Sequence, residues 1–141
     1  MIVVEVFREA VPAHYDAIAA GIMAHNAAHT GEAHGQPLTV LAQRNQAVVG
    51  GLWGEVFWGW LKVELLWVQE DLRGQGLGRQ LLRRAEAEAQ REGATAAHLD
   101  TFSFQALEFY QREGYEIFGT LPDFPRGHTR YFLQKQFRPV A

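Results

Sequence analysis

The spacing of hydrophobic positions changes several times along the chain, and each spacing predicts an element. A β-branched run at residues 2–7 predicts a strand, and the Ala-rich segment at residues 14–28, which follows Pro12, predicts a helix. Further apolar runs predict three strands in succession, at residues 38–42, 47–57 and 61–68. Two short breaks between these runs, Asn45-Gln46 and Trp58-Gly59, are predicted turns.

The second half of the chain alternates between helical and strand patterns. Apolar residues at helical spacing predict an amphipathic helix from Gly76 to Glu92, which Gly93 ends. The remaining elements are predicted as a strand at 95–102, a helix at 104–113 with Ser103 as its N-cap, and strands at 115–120 and 129–137. A strand–helix–strand order between residues 61 and 102 predicts a parallel pair. We expect a single α/β domain over residues 1–141, with a mixed, mostly antiparallel sheet of about seven strands flanked by helices.

Composition narrows the chemistry. A chain of 141 residues suits one domain. The chain has no cysteine, so disulfides, thiolate metal sites and a cysteine-linked acyl-enzyme are excluded. A formal net charge of −3 argues against a large basic surface for nucleic acid. Glu55, Lys62 and Glu64 interrupt the most apolar stretch, which argues against a membrane span. We therefore expect a soluble cytoplasmic protein that binds neither nucleic acid nor membrane.

One segment has the pattern of a phosphate-binding site. Residues 65–79 read as a strand, a glycine-rich turn with glycines at 74, 76 and 78, and then the start of a helix. A helix start offers unpaired N–H groups and the positive end of the helix dipole, and Arg73 and Arg79 add charge, so the segment suits a phosphate group. A dinucleotide fingerprint would need glycine where Arg79 stands, and a P-loop would need a Gly-Lys-Ser/Thr ending that is absent.

Two motifs together indicate a family. Arg73, Gly76 and Gly78 match the pattern Arg/Gln-x-x-Gly-x-Gly/Ala, and residues 106–115 match Ala-x-x-hydrophobic-Tyr-x-x-x-Gly-aromatic. On these motifs the sequence resembles the GNAT superfamily of N-acetyltransferases. The resemblance implies a GNAT-like fold, acetyl-CoA or another acyl-CoA as donor, and an amine of a small molecule or peptide as acceptor.

The resemblance also implies which residues bind the cofactor. The strand end and glycine turn contribute Leu66, Trp67, Val68, Arg73, Gly74, Gln75, Gly76, Leu77, Gly78 and Arg79. Relatives often have asparagine seven residues before the motif tyrosine, but Ser103 stands there in this chain. Ser103 and Gln105 are therefore the candidates to replace the asparagine.

Two residues are candidates for catalysis. The resemblance places Tyr110 near the sulfur of the cofactor, where a hydroxyl can protonate the leaving thiolate. Glu64 lies in the middle of an apolar strand, where a buried carboxylate suits a general base, acting directly or through water. Strict alternation puts Glu64 on one face with Leu66 and Val68, although a bulge would change this. The resemblance also makes the N–H of Val68 the oxyanion donor. The alternatives are that Tyr110 only packs and that Glu64 pairs with Lys62 or a histidine.

Other functions are also open at this stage. The chain could bind acyl-CoA as a sensor or partner subunit without catalysis, or use its arginine-rich helix at 73–91 as an interaction surface, although glutamates make that face mixed. His25, His29 and His34 lack a third ligand of firm geometry, so we expect no metal site. The sequence does not identify the acceptor amine, and exposed sheet edges would permit a homodimer.

Overall fold

The computed structural model describes residues 1–138. The chain forms two compact units, Met1–His34 and the part that begins at Gly35. The expectation of a single domain stays a prediction. Within residues 1–138, no helix combines the length and the apolar character that crossing a bilayer requires.

The first unit contains one helix. Helix α1 spans Pro12–Thr30, with proline in its first turn, and the N–H of Gly31 ends it by donating to Ala27 at 2.9 Å. The predicted helix at 14–28 is thus confirmed. The strand predicted at residues 2–7 is wrong, because within residues 1–138 this segment joins no β-ladder. A β-branched run favours extended backbone, but a strand exists only where it has a partner.

The second unit is built on one sheet. Up to residue 138 it has six strands, β1 Gln36–Arg44, β2 Ala47–Phe57, β3 Trp60–Val68, β4 Ala96–Phe102, β5 Glu116–Pro122 and β6 Thr129–Gln136, in the spatial order β1-β2-β3-β4-β6-β5. Two α-helices complete it, α2 Leu77–Arg91 and α3 Leu107–Arg112, with a 3₁₀ turn at Glu70–Leu72. The α/β class with a mixed, mostly antiparallel sheet is confirmed. The predicted seventh strand is the segment at residues 2–7.

Two tight hairpins join β1, β2 and β3. Asn45 and Gln46 have φ of 51° and 69°, and Trp58 and Gly59 have φ of 50° and 79°. Positive φ at both central residues defines the turns whose twist matches paired strands. Both predicted turns are therefore confirmed.

The sheet opens between β3 and β4. These strands pair in parallel only where Trp60–Lys62 face Ala96–His98. The parallel pairing is confirmed, but β3 continues to Val68 with no ladder partner from β4. Helix α2 covers one face of the sheet through buried Leu81, Leu82, Ala85 and Ala89. The opening leaves backbone groups on one edge of β3 free for a ligand that hydrogen-bonds as a strand does.

A β-bulge lies at Glu64. The β2–β3 register shifts opposite Trp53 and Gly54, so that Val63 and Leu65 have partners and Glu64 has none. Glu64 and Leu65 are consequently both exposed in succession. The prediction that Glu64 shares a face with Leu66 and Val68 is therefore wrong, because the extra residue shifts the alternation after Glu64 and places Leu66 and Val68 on the opposite face.

The glycine opposite the bulge allows the strands to approach closely. A Cβ built on Gly54 would lie 2.5 Å from the carbonyl oxygen of Lys62. No real side chain tolerates such a distance from backbone, so Gly54 is required for this pairing. The position of Glu64 thus depends on a residue in the neighbouring strand.

The short helix begins later than the sequence predicts. Ala106 is the N-cap of α3, and no side chain among residues 1–138 caps this helix. The prediction that Ser103 caps it is wrong. The Ser103 hydroxyl accepts instead from the N–H of Thr129 at 3.1 Å and lies 3.1 Å from Nδ1 of His128. The start of β6 returns alongside the end of β4 and offers Ser103 these partners.

Candidate active site

A cavity of about 1060 Å³ lies where β3 and β4 separate, bordered by the glycine loop, the start of α2 and helix α3. It brings together all the predicted site residues except Gln75 and Ser103: Glu64, Leu66, Trp67, Val68, Arg73, Gly74, Gly76, Leu77, Gly78, Arg79, Gln105 and Tyr110. The side-chain amide of Gln75 instead donates to the carbonyl of Asp71 at 3.3 Å. The volume and the mixture of polar and apolar lining residues suit a large, partly polar ligand.

The loop side of the cavity is an anion site made of backbone. Gly76 is the N-cap of α2 with φ of 84°, a left-handed conformation that glycine adopts without strain. No side chain caps the helix within residues 1–138. Gln80 donates to the Gly76 carbonyl at 3.1 Å, so the N–H groups of Leu77, Gly78 and Arg79 precede the first intrahelical bond and are left for a ligand. This cradle fits a pyrophosphate.

Arg73 secures the loop. Its Nε donates to the carbonyl of Val68 at 2.9 Å, which ties the loop to the end of β3. The guanidinium therefore has a structural bond in addition to its charge. Because Arg73 and Arg79 both line the cavity, the loop side carries two permanent positive charges beside the free amides.

Tyr110 is held in α3 with its ring buried. Only 7% of the residue is exposed, and its ring packs edge-on against Phe109 and Tyr115 at centroid distances of 5.1 and 5.9 Å. Its hydroxyl makes no hydrogen bond to any other described residue, and it is not sealed from the cavity. Burial, and next the charge of Asp100, raise the pKa of Tyr110 to about 12. Like a phenol of ordinary pKa it is protonated at neutral pH, and its hydroxyl is free to donate.

A buried polar network supports the tyrosine from behind. The Tyr115 hydroxyl donates to Glu86 at 2.7 Å, and the Lys135 ammonium donates to the same carboxylate at 3.0 Å. Burial and the Glu86 charge raise the pKa of Tyr115. A charged hydrogen-bonded pair of this kind resists rearrangement. Tyr115, against which Tyr110 packs, is thus fixed in place.

Glu64 reaches the cavity from the bulge. Its carboxylate lies 3.3 Å from the ammonium of Lys62, and both side chains are 46% exposed. The expected burial of Glu64 is therefore wrong, and the ion pair with Lys62 that the sequence left as an alternative is present. A role as general base and an ion pair with Lys62 are compatible, because Glu64 also lines the cavity together with Tyr110.

Gln105 and Ser103 are placed differently. The Gln105 side-chain oxygen accepts from the N–H of Phe102 at 2.9 Å and from the Thr101 hydroxyl at 3.2 Å, which orients its amide nitrogen, and the residue lines the cavity. Ser103 does not line it. Of the two candidates to replace the family asparagine, Gln105 is the better placed.

The sequence leaves a second carboxylate, Asp100, as either a polar pocket residue or part of a solvent-facing sheet surface. Asp100 lines the cavity from β4, and its Oδ1 accepts from Nε and Nη2 of Arg130, each at 2.9 Å. Strand alternation does place Asp100 on the side away from the apolar core. It does not indicate that β4 separates from β3 at this point and exposes Asp100 to a cavity.

The comparisons agree with this geometry. Residues 35–117, more than half of the chain, match the family described as Acetyltransferase (GNAT) domain. A blasticidin-S acetyltransferase of Streptomyces morookaense is 48% identical over 90 residues, which cover 63% of this chain and 66% of that protein, slightly under two thirds of its length. A crystal structure of an acetyltransferase from Agrobacterium tumefaciens superposes with a TM-score of 0.91 at 34% identity, covering 96% of this chain and all of that one.

A more distant structure shares the fold. A streptothricin acetyltransferase from Bacillus anthracis, solved in complex with acetyl coenzyme A, has a TM-score of 0.65 at 18% identity and covers 72% of this chain and 63% of that chain. The chain belongs to the GNAT family of acetyltransferases, whose cofactor is acetyl-CoA. The resemblance, the enzyme class and the cofactor predicted from sequence are confirmed.

Proposed function

We propose that this protein transfers the acetyl group of acetyl-CoA to a primary amine of a small molecule or peptide, by direct transfer within a ternary complex. The observation that carries the proposal is one cavity that joins an anion cradle to a protonated, buried tyrosine and an unburied carboxylate. The absence of cysteine supports direct transfer.

The half of the cavity beside the glycine loop, the cofactor half, binds and orients acetyl-CoA. The free N–H groups of residues 77–79 hold the pyrophosphate, with Arg73 and Arg79 supplying charge. The open edge of β3 from Leu66 to Val68 pairs with the amide-bearing arm. The amide nitrogen of Gln105 takes the contact that asparagine makes in relatives. Acetyl-CoA, once bound, supplies the acetyl group as an activated thioester.

The other half of the cavity, the acceptor half, contains the residues that transfer protons. Glu64 takes a proton from the acceptor ammonium, directly or through water, and so frees the lone pair for attack. The N–H of Val68 donates to the carbonyl oxygen as negative charge develops there. Tyr110 gives its phenolic proton to the departing sulfur as the carbon–sulfur bond breaks, and it recovers a proton from the nitrogen of the new amide.

The acceptor is proposed from the name of one relative. Because that protein is called a blasticidin-S acetyltransferase and is 48% identical over the matched region, blasticidin S is the first amine to test. The carboxylates of Glu64 and Asp100 in the acceptor half suit a cationic amine.

The test is thiol release from acetyl-CoA across a panel of amines that includes blasticidin S, aminoglycosides, polyamines, free amino acids and peptides. The protein adds no thiol background because it has no cysteine. We expect amine-dependent release from the wild-type protein and a rise in melting temperature with acetyl-CoA. Stabilisation without release for any amine would instead support an acyl-CoA sensor and contradict the catalytic proposal.

A further inference from the structure

Two carboxylates border the acceptor half of the cavity, and each has a cationic partner. The partner of Asp100 is fixed. The guanidinium of Arg130 holds Oδ1 with two nitrogens at 2.9 Å. It also lies over three phenyl rings at 4.9 to 5.4 Å from their centroids: Phe102, Phe124 and Phe132. A cation held by hydrogen bonds and by ring faces is costly to displace.

The partner of Glu64 is held much less firmly. The Lys62 ammonium contacts Glu64 at 3.3 Å, and within residues 1–138 no other carboxylate, including that of the cross-strand Glu55, lies within ion-pair distance of it. Both side chains are about half exposed. Exposed pairs on flexible side chains are weak, because ordering two long chains opposes the attraction in water. Lys62 can therefore leave Glu64 when another cation arrives.

The partner is also a chemical match for the acceptor. The Lys62 side chain ends in a primary ammonium, which is the group that an acceptor amine carries into the site near neutral pH. Glu64 thus already holds, in the absence of acceptor, the type of group it has to deprotonate. Lys62 and Glu64 lie two residues apart on the same exposed side of β3, and the ammonium reaches the carboxylate from outside the cavity lining.

We propose that Lys62 is an internal competitor for the acceptor: its ammonium pairs with the Glu64 carboxylate to which the acceptor ammonium must bind, and a cationic primary amine must displace it to react. This inference rests on the proposed function and deepens it, since it defines the acceptor as a cation. Lys62 is a specificity-determining residue and does not touch the reacting bond. Its competition raises the apparent KM for the acceptor and leaves the acetyl-CoA half unaffected.

The Lys62→Met substitution removes the charge and keeps most of the volume. We expect the acceptor KM to fall by about two- to five-fold, the range that an exposed ion pair allows. The acetyl-CoA KM should not change, because Lys62 does not line the cavity. Lys62→Arg keeps a competing cation and should return the acceptor KM towards the wild-type value.

The matched control is Arg91→Met. Arg91 is 75% exposed, pairs with Glu88 at 3.0 Å on α2, and does not line the cavity. The Arg91→Met substitution removes one exposed, paired cation, as Lys62→Met does, and should leave the acceptor KM unchanged. Melting temperatures with and without acetyl-CoA check that each variant is folded and binds the donor.

The experiment measures initial rates of thiol release against acceptor concentration at saturating acetyl-CoA, for wild type and the three variants. A fall in acceptor KM for Lys62→Met, reversed in Lys62→Arg, supports the inference. An unchanged or higher acceptor KM for Lys62→Met, with wild-type turnover intact, overturns the inference alone. No turnover by the wild type with any amine overturns the proposed function, and the inference with it.

Discussion

Backbone groups form most of one half of the cavity, and side chains form the other half. The cofactor half is mainly backbone: a left-handed Gly76, the free amides at the start of α2 and the open edge of β3. The acceptor half is made of side chains, Glu64, Asp100 and Tyr110, each set by a contact from another element. Backbone geometry repeats wherever the glycine pattern repeats, whereas side-chain placement depends on distant partners. The cofactor half should therefore be the constant part of the site and the acceptor half the adjustable part.

The sharpest test of this division is Tyr110→Phe. We expect kcat to fall by about 100-fold or more, because a positioned proton donor contributes on that scale. Acetyl-CoA binding should be unchanged, since the cradle at residues 76–79 is untouched. Thiol release measures the first effect, and the melting shift with acetyl-CoA measures the second. Loss of both together would show that the two halves are not separable.

The converse variant is Gly76→Ala. A left-handed alanine costs about 1–2 kcal/mol, which the loop avoids by moving the amides of α2. We expect the Kd for acetyl-CoA to rise by about ten-fold, with kcat at saturating donor little changed.

Gly78→Ala is the matched control. A Cβ on Gly78 would lie 3.6 Å from the Phe109 ring, an ordinary contact, and Gly78 does not have positive φ. Its affinity for acetyl-CoA should remain much closer to that of the wild type. Equal weakening in both variants would mean that loop volume, and not the left-handed N-cap, determines binding.

The difference between the backbone half and the side-chain half of the cavity also explains which features could be predicted from the sequence. The strand, glycine turn and helix were predictable because their signals lie within 15 consecutive residues, and both hairpin turns likewise depend on two adjacent residues. Ser103 was assigned as a helix cap because its partners, His128 and Thr129, lie far along the chain. The face of Glu64 was wrong for the same reason: the bulge depends on Gly54, in another strand.

Gly54→Ala tests whether that bulge positions Glu64. The added Cβ would lie 2.5 Å from the Lys62 carbonyl, so the strands must separate, at a cost of about 1–3 kcal/mol in the free energy of unfolding. We expect the acceptor KM to rise by several-fold while acetyl-CoA affinity is retained, as measured by steady-state kinetics and urea unfolding.

A glycine with more room is the control for Gly54. A Cβ on Gly119, in β5, would meet only the Phe132 Cβ at 4.0 Å, so Gly119→Ala should leave both KM values unchanged. Loss of stability in Gly54→Ala without any change in acceptor KM would argue against the bulge as the device that positions Glu64.

The smallest expected effect concerns alkaline stability. Burial raises the pKa of Tyr110 to about 12, so between pH 10 and 12 the folded protein keeps a proton that the unfolded chain has lost. The free energy of unfolding should therefore fall as the pH rises through this window, and Tyr110 contributes about 1–3 kcal/mol to the decline. Urea unfolding at pH 9 and 11 should show a smaller decline for Tyr110→Phe than for wild type. Tyr15→Phe, which removes a tyrosine that is 74% exposed, is the control and should decline as wild type does. Equal declines in all three proteins would mean that the Tyr110 hydroxyl is open to solvent and that burial does not raise its pKa.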